Sequence, residues 1–362
     1  MQTFRRLPPV VLAVFLSAGF LLTCVGMGRL VGAQDVPPPK KGVATPAGSA
    51  QAQKSEEDPQ AADLLRQART RLAEYASVKA DLKETVFIGD RRTSSDGTYV
   101  SGAFPRFRVE YQVRVGGTAG ILTEACDGNV VHSKREIRKI DALNESAPGA
   151  EGEGERKVSF VLGKVPLSEP QYSRCDVQEV AKALASEGRP VNEVLADAGI
   201  GGLAAILASL DRSMVFTAVR ESKTKAGTYT VLEGVWDPTR LETLTAAFGS
   251  GGAALKQLVP ERAAVYLDPQ TLFPVRIVYL RRVGEGQAVR PILALEFVNV
   301  RFNEAVDESS FAFALPSEIE EKDETSEFIA SVKPAAAAAA PGGGLPAELL
   351  PGTPAPKAPA PR

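Results

Sequence analysis

The side chains able to do acid–base, nucleophilic or metal chemistry are few and poorly spaced for it. His132 is the only histidine in 362 residues, and it lies beside Val130 and Val131 in a strand-like run. A Ser-His-Asp relay would have to be built on it alone, and the Gly-x-Ser-x-Gly elbow is absent. One histidine with Cys126 and Cys175 at distant positions cannot assemble a zinc cluster. The glycine-rich piece Gly249 to Gly252 lacks the lysine and following hydroxyl of a phosphate-binding loop. Carboxylates abound, yet a glycosidase pair is defined by separation in space, which spacing along a chain does not give. The chain therefore reads as noncatalytic, with no catalytic residues, no cofactor and no metal site.

Basic residues offer a second chemistry. Arg106, Arg108 and Arg114, extended by Lys134-Arg135 and Arg281-Arg282, could form a positive patch for an anionic lipid or a partner; the alternative is a solvated face paired with Glu110. With a net charge of −2 there is no global basic excess to hold a polyanion, which argues against nucleic acid.

The distinctive chemistry is apolar. From Phe107 the chain alternates strictly, with Phe107, Val109, Tyr111, Val113 and Val115 on one side and Arg108, Glu110, Gln112 and Arg114 on the other. Successive strand side chains point to opposite faces, so this is a half-buried antiparallel strand with one apolar face. The same sheet face would collect Leu82, Val86, Tyr229, Val231, Val275, Ile277, Val298 and Val300. These are core residues one by one, and together they could line a ligand-binding cavity. Ile200, Leu203, Ile206, Leu207 and Leu210 are too apolar for an exposed helix and should lie against the sheet or over its opening as a lid.

Several elements must position these residues. A helix starts at Asp58-Pro59, with Leu64, Leu65, Ala68 and Leu72 on one face. Strands with short turns follow from Ser77 to Ile137, including the hairpin signal Asp127-Gly128-Asn129. A loop from Asn144 to Glu155 has no periodicity. Short helices over about 165–210 are broken by Gly188, Gly199 and Gly201-Gly202, and strands resume from Met214 to Phe302 around one more helix at Pro238. That order suits one α+β domain, residues 58–318, with helices on one side of an antiparallel sheet.

The ends differ in character. Arg5-Arg6, an apolar run from Val10 to Val25 and the small-residue site Val31-Gly32-Ala33 make residues 1–33 a secretory signal peptide. The run falls short of the roughly 20 residues a membrane span needs; retention as an anchor, or lipidation at Cys24, is the alternative. Residues 34–57 read as a disordered linker, and residues 319–362 as an acidic, then Pro/Ala-rich, disordered tail. Export permits a disulfide, and Cys126 with Cys175 is the one pairing left after cleavage. Two free buried thiols are the other possibility.

Several motifs occur in an order that resembles the periplasmic lipoprotein carrier family (LolA/LolB-like). They are the helix Leu64 to Ala76 leading into Tyr75-Ala76-Ser77-Val78, Gly102-Ala103-Phe104-Pro105-Arg106-Phe107, Cys126-Asp127-Gly128-Asn129, Leu267-Asp268-Pro269-Gln270-Thr271-Leu272-Phe273-Pro274 and Val306-Asp307-Glu308-Ser309-Ser310-Phe311. The resemblance implies a curved antiparallel sheet forming an incomplete β-barrel, helices covering its open side, and a cavity for acyl chains. By position, Phe107, Val109 and Tyr111 would belong to its wall. Where the carriers have an Arg-Pro pair entering this strand, with the arginine bonded to the lid, this chain has Ala103 and Phe104. The expected function is an exported binding protein that carries or senses a lipid or lipoprotein acyl chains, working as a monomer. The alternative is an envelope structural or signalling module that binds a protein partner.

Overall fold

The structure, a computed structural model, describes residues 56–88, 91–115, 118–144, 159–185, 189–247, 259–283 and 288–339. The expected signal peptide, Cys24, nearly all of the linker and the last part of the tail lie outside the described residues.

Helix α1 (Pro59–Glu74) begins where Asp58 accepts a hydrogen bond from the Gln60 N–H at 2.9 Å. Pro59 takes a first-turn position, where its missing N–H goes unused in any case. Five strands follow as a meander: β1 (Val78–Ile88), β2 (Arg91–Ser101), β3 (Phe107–Val115), β4 (Thr118–Cys126) and β5 (Val130–Asn144). Strands β6 (Ser159–Pro166) and β7 (Gln171–Asp176) both pair with β5. Three short helices come next, α2 (Val177–Leu184), α3 (Val191–Ala198) and α4 (Leu203–Ser213). A second meander holds β8 (Met214–Thr224), β9 (Gly227–Trp236), β10 (Arg262–Leu267), β11 (Pro274–Val283) and β12 (Ala288–Phe302), with α5 (Pro238–Ala247) after β9. The described chain ends in β13 (Lys322–Asp323) and α6 (Thr325–Ala339).

The two meanders join at β1 and β12, giving one sheet in the order β13-β7-β5-β4-β3-β2-β1-β12-β11-β10-β9-β8. All pairs are antiparallel except β13 with β7. The terminal strands β13 and β8 do not pair with each other, so the sheet stays open. This is the expected α+β class. The topology also explains where the helices go. Helices α2 to α4 must carry the chain from β7, near one end of the sheet, to β8 at the other, and they do so over its concave face. Leu65 and Leu72 of α1, Val180 of α2, Leu195 of α3 and Leu207 of α4 share one buried cluster with Leu82, Phe107, Leu232, Val265 and Ile277 of the sheet.

The opposite face is crossed by the C-terminal segment. Arg108 donates to the Ala312 carbonyl at 2.7 Å, Phe313 stacks on His132 with ring centres 5.0 Å apart, and the Glu321 carboxylate sits 2.8 Å from His132 Nδ1. Ala119 and Ala125, small residues on that face of β4, are fully buried. The acidic stretch expected to be disordered is therefore ordered as far as Ala339. The reason is an apolar stripe hidden in a polar context: Phe328, Ile329 and Val332 recur at helical spacing, and Val332 reaches the main core at 2% exposure.

Val332→Ala should lower the unfolding free energy by about 1–2 kcal/mol, as a buried methyl deletion does. A denaturation midpoint equal to wild type would show that α6 is not docked.

Candidate functional site

The concave face is built around one close approach. Helix α3 ends at Gly199, which is left-handed (φ 96°), and the chain turns through Gly201 and Gly202, also at positive φ, into α4. This turn rests on an aromatic shelf from β2 and the β2–β3 connection. A Cβ on Gly201 would lie 2.2 Å from the Phe104 ring, and one on Gly202 would lie 3.2 Å from Phe107 and Tyr99. Only glycine meets both the dihedral and the distance requirement there. The Leu203 N–H, an otherwise orphaned donor at the start of α4, donates to the buried Tyr99 hydroxyl at 3.2 Å. Tyr99 and Phe104 thus hold the helical cover against the sheet.

Beside this contact lies a cleft of about 460 Å³. Its floor is apolar, from Leu72, Ala73, Tyr75, Tyr99, Phe104 and Ala204, and Asn192, Glu193 and Ala196 of α3 form the opposite wall. The rim carries Arg66, Arg69 and Arg106. Each already has a partner: Arg66 pairs with Asp63 at 3.5 Å, Arg69 pairs with Asp211, and Arg106 pairs with Glu308 at 3.2 Å and donates to the Asp127 carbonyl. Arg108 pairs with Glu110 at 2.6 Å, as the paired-face reading of the sequence has it, and donates to the C-terminal segment.

The register fixes which expected wall residues face inward. Leu82, Val86, Phe107 and Ile277 are buried in the concave cluster, and Val109 and Tyr111 are half-buried against it. Ile200, Leu203 and Leu207 are buried on the same cluster and Ile206 is half-buried there, so wall and lid residues touch one core. Two expected wall residues face the other way. Val231 belongs to a small cluster on the convex face with Ala264, Val278 and Ala294, while its neighbour Leu232 points inward. Val298 pairs with Asp81, on the outward phase of β1, because a bulge at left-handed Asn299 shifts the alternation; Leu295 and Phe297 before it, and Val300 after it, are the inward residues. None of the expected wall or lid residues lines the cleft, although Gly201 and Ala204, neighbours of the lid residues, do.

The tentative disulfide is absent: Cys126 and Cys175 are free. Val131 of β5 stands between them in register. Two strand spacings put the cysteines roughly 10 Å apart, beyond disulfide reach. Burial pushes both thiols up to about 12, so they are not thiolates at neutral pH. No group of three or more His, Cys, Asp or Glu side chains among the described residues is placed to hold a metal ion.

The alternation held one signal that a search for apolar residues passes over. The inward phase of β1 to β5 includes Glu84, between Leu82 and Val86; Ser95; Glu124, between Leu122 and Cys126; and Ser133 and Arg135, between Val131 and Ile137. Burial raises the pKa of Glu124, with Arg135 acting against it. Burial, and then the Glu84 and Glu124 carboxyls, hold the Tyr111 hydroxyl well above the ordinary phenol range.

No protein-family model matches the chain, and no curated protein does. Among solved structures it is similar to Mycobacterium tuberculosis lipoprotein LppX, at 12% identity and TM-score 0.30 over 69% of this chain and 98% of that one. It is similar also to a LolA superfamily protein from Nitrosomonas europaea, at 8% and 0.22 over 70% and 97%. A DUF1329 family protein from Desulfovibrio piger matches at 12% and 0.27 over 70% and 96%.

Gly201→Ala should cost about 1–3 kcal/mol through strain and the Phe104 clash, and Phe104→Ala in that background should return part of the loss. Strictly additive losses in a double-mutant cycle would show that the two residues do not meet. A second outcome follows from Glu124. A raised folded pKa favours folding fully below the ordinary carboxylate value of 4.5, and that contribution is lost as pH rises through the folded value. Glu124→Gln should therefore match wild type near pH 4 and be more stable at pH 8. Equal stability at both pH values would contradict the buried placement of this carboxyl.

Proposed function

We propose that this chain is an exported, noncatalytic domain that binds a lipid, or the acyl chains of a lipoprotein, as a monomer. The supporting observation is the cleft beside the Gly201-Gly202 turn, which combines an apolar floor at Leu72, Tyr99 and Phe104 with a polar rim. Ligand sites typically occupy 300–1,000 Å³ and are apolar with a few polar groups, and 460 Å³ falls in that range. At about 25 cal/mol per Å² of apolar surface buried, a chain lying on this floor gains affinity without any polar chemistry. The signal-like N-terminus supports export.

A protein-binding envelope module is the second reading, and it draws on the half of the sheet formed by β8 to β12. There Phe216, Leu232, Val265 and Ile277 are buried under helices, as in a solid scaffold.

Ala73→Trp, on the solvent side of α1, would fill the cleft without touching the main core. The wild-type protein should release a fluorescent fatty acid on addition of palmitate and carry lipid detectable by mass spectrometry after purification. The tryptophan variant should lose at least tenfold in displacement. Binding of neither probe by the wild type, or equal binding by the variant, would refute the cleft as an acyl site.

A further inference from the structure

The rim of the cleft is unbalanced in charge. Arg66, Arg69 and Arg106 line it, and Glu193 is the one carboxylate among the described residues that do. Behind the rim Arg69 pairs with Asp211 of α4, while Arg189 and Arg212 share Asp197 of α3. Together these pairs set three arginines against two carboxylates. Burial lowers the Arg212 pKa, Asp197 opposes the change, and the positive charges of Arg240, Arg189 and Arg69 add to it. The ground behind the rim is therefore short of negative charge.

Three polar groups of the lining come from one face of α1. Arg66, Arg69 and Thr70 stand at positions i, i+3 and i+4 and all line the cleft. Side chains so spaced start about 5–6 Å apart, so one carboxylate or phosphate can be reached by both guanidinium groups and the hydroxyl. The present partner of Arg66 is loosely held. Asp63 lies 3.5 Å from it, both side chains are more than half exposed, and a solvated pair of this kind contributes little. Asp63 also accepts from the Gln67 amide at 2.6 Å, so it keeps a partner when Arg66 turns away. One turn further along α1, Leu72 and Ala73 join Tyr99 and Phe104 in the apolar floor, which makes floor and polar face contiguous.

We infer that Arg66, Arg69 and Thr70 form the head subsite of this cleft and take the anionic group, a carboxylate or phosphate monoester, of an amphiphile whose chain lies on the apolar floor. Guanidinium groups donate charge-assisted hydrogen bonds to such an oxyanion, and the Thr70 hydroxyl adds a further donor. Arg69 is fixed by Asp211, and Arg66 turns to the head from Asp63. This rests on the acyl-binding reading above and adds the class of head group.

Titration calorimetry of the full chain at neutral pH with laurate, dodecyl phosphate, monolauroylglycerol and inorganic phosphate tests it. The two anionic amphiphiles should bind at least about tenfold more tightly than neutral monolauroylglycerol. Salt at about 0.5 M should narrow that gap. Arg66→Gln, at an exposed position, should weaken both anions about five- to tenfold and leave monolauroylglycerol unchanged. Asp63→Asn, which removes the competing carboxylate, should tighten laurate binding, a gain that a merely structural ion pair would not give. Equal binding of laurate and monolauroylglycerol by the wild type, or unchanged anion binding by Arg66→Gln, would overturn the head subsite and leave the acyl cleft standing. Inorganic phosphate bound as tightly as dodecyl phosphate would make the rim a free-anion site and overturn the amphiphile. If the wild type binds no amphiphile, both readings fall.

Discussion

An open sheet with one apolar face has to be covered, and here the cover depends on how closely backbone can approach side chain at a single turn. Gly201 and Gly202 lie at positive φ directly on the rings of Phe104, Phe107 and Tyr99, and a Cβ on Gly201 would clash with the Phe104 ring. With that contact made, Leu203 and Leu207 enter the core and the Leu203 N–H finds the Tyr99 hydroxyl. The chain can then pass from β7 to β8, at opposite ends of the sheet, without a long unsupported connection. The cleft is a by-product of the same geometry, because the turn meets the sheet beside α1 and leaves a gap floored by the shelf itself.

The cover of the concave wall is uneven. Under α1 and α4 the concave wall is a packed core whose residues are too buried to meet a ligand without the helices moving. Over β3 to β5 it is partly open and carries polar groups that a core would exclude. The convex side shows the opposite: β4 presents alanines there, and the C-terminal segment lies over it through His132, Phe313 and Glu321. The single histidine is thus an anchor for that segment.

Much of this could be read from residue order. The alternation of Phe107, Val109 and Tyr111 reads as a half-buried strand with one apolar face, Asp58-Pro59 marks the start of α1, and the apolar run from Ile200 to Leu207 reads as a segment that must lie against the sheet or over its opening. The errors have physical causes. Val298 was misplaced because one left-handed residue, Asn299, inserts a bulge and reverses the phase that simple alternation assumes. Val231 was misplaced because β9 offers apolar residues on both phases, and only pairing with β10 decides between Val231 and Leu232. The disulfide failed because two cysteines on the same face can be separated by an intervening strand. The docked α6 was obscured by acidic and alanine-rich neighbours. The cleft is not legible in residue order, since its lining comes from three separate segments, 66–75, 99–106 and 192–204.

An acyl ligand on the shelf beside the Gly201-Gly202 turn should show in amide hydrogen exchange of the full chain, with and without saturating palmitate, as added protection in residues 99–106 and 192–204, with β8 to β12 unchanged. Protection confined to β8 to β12, or no change anywhere, would contradict it.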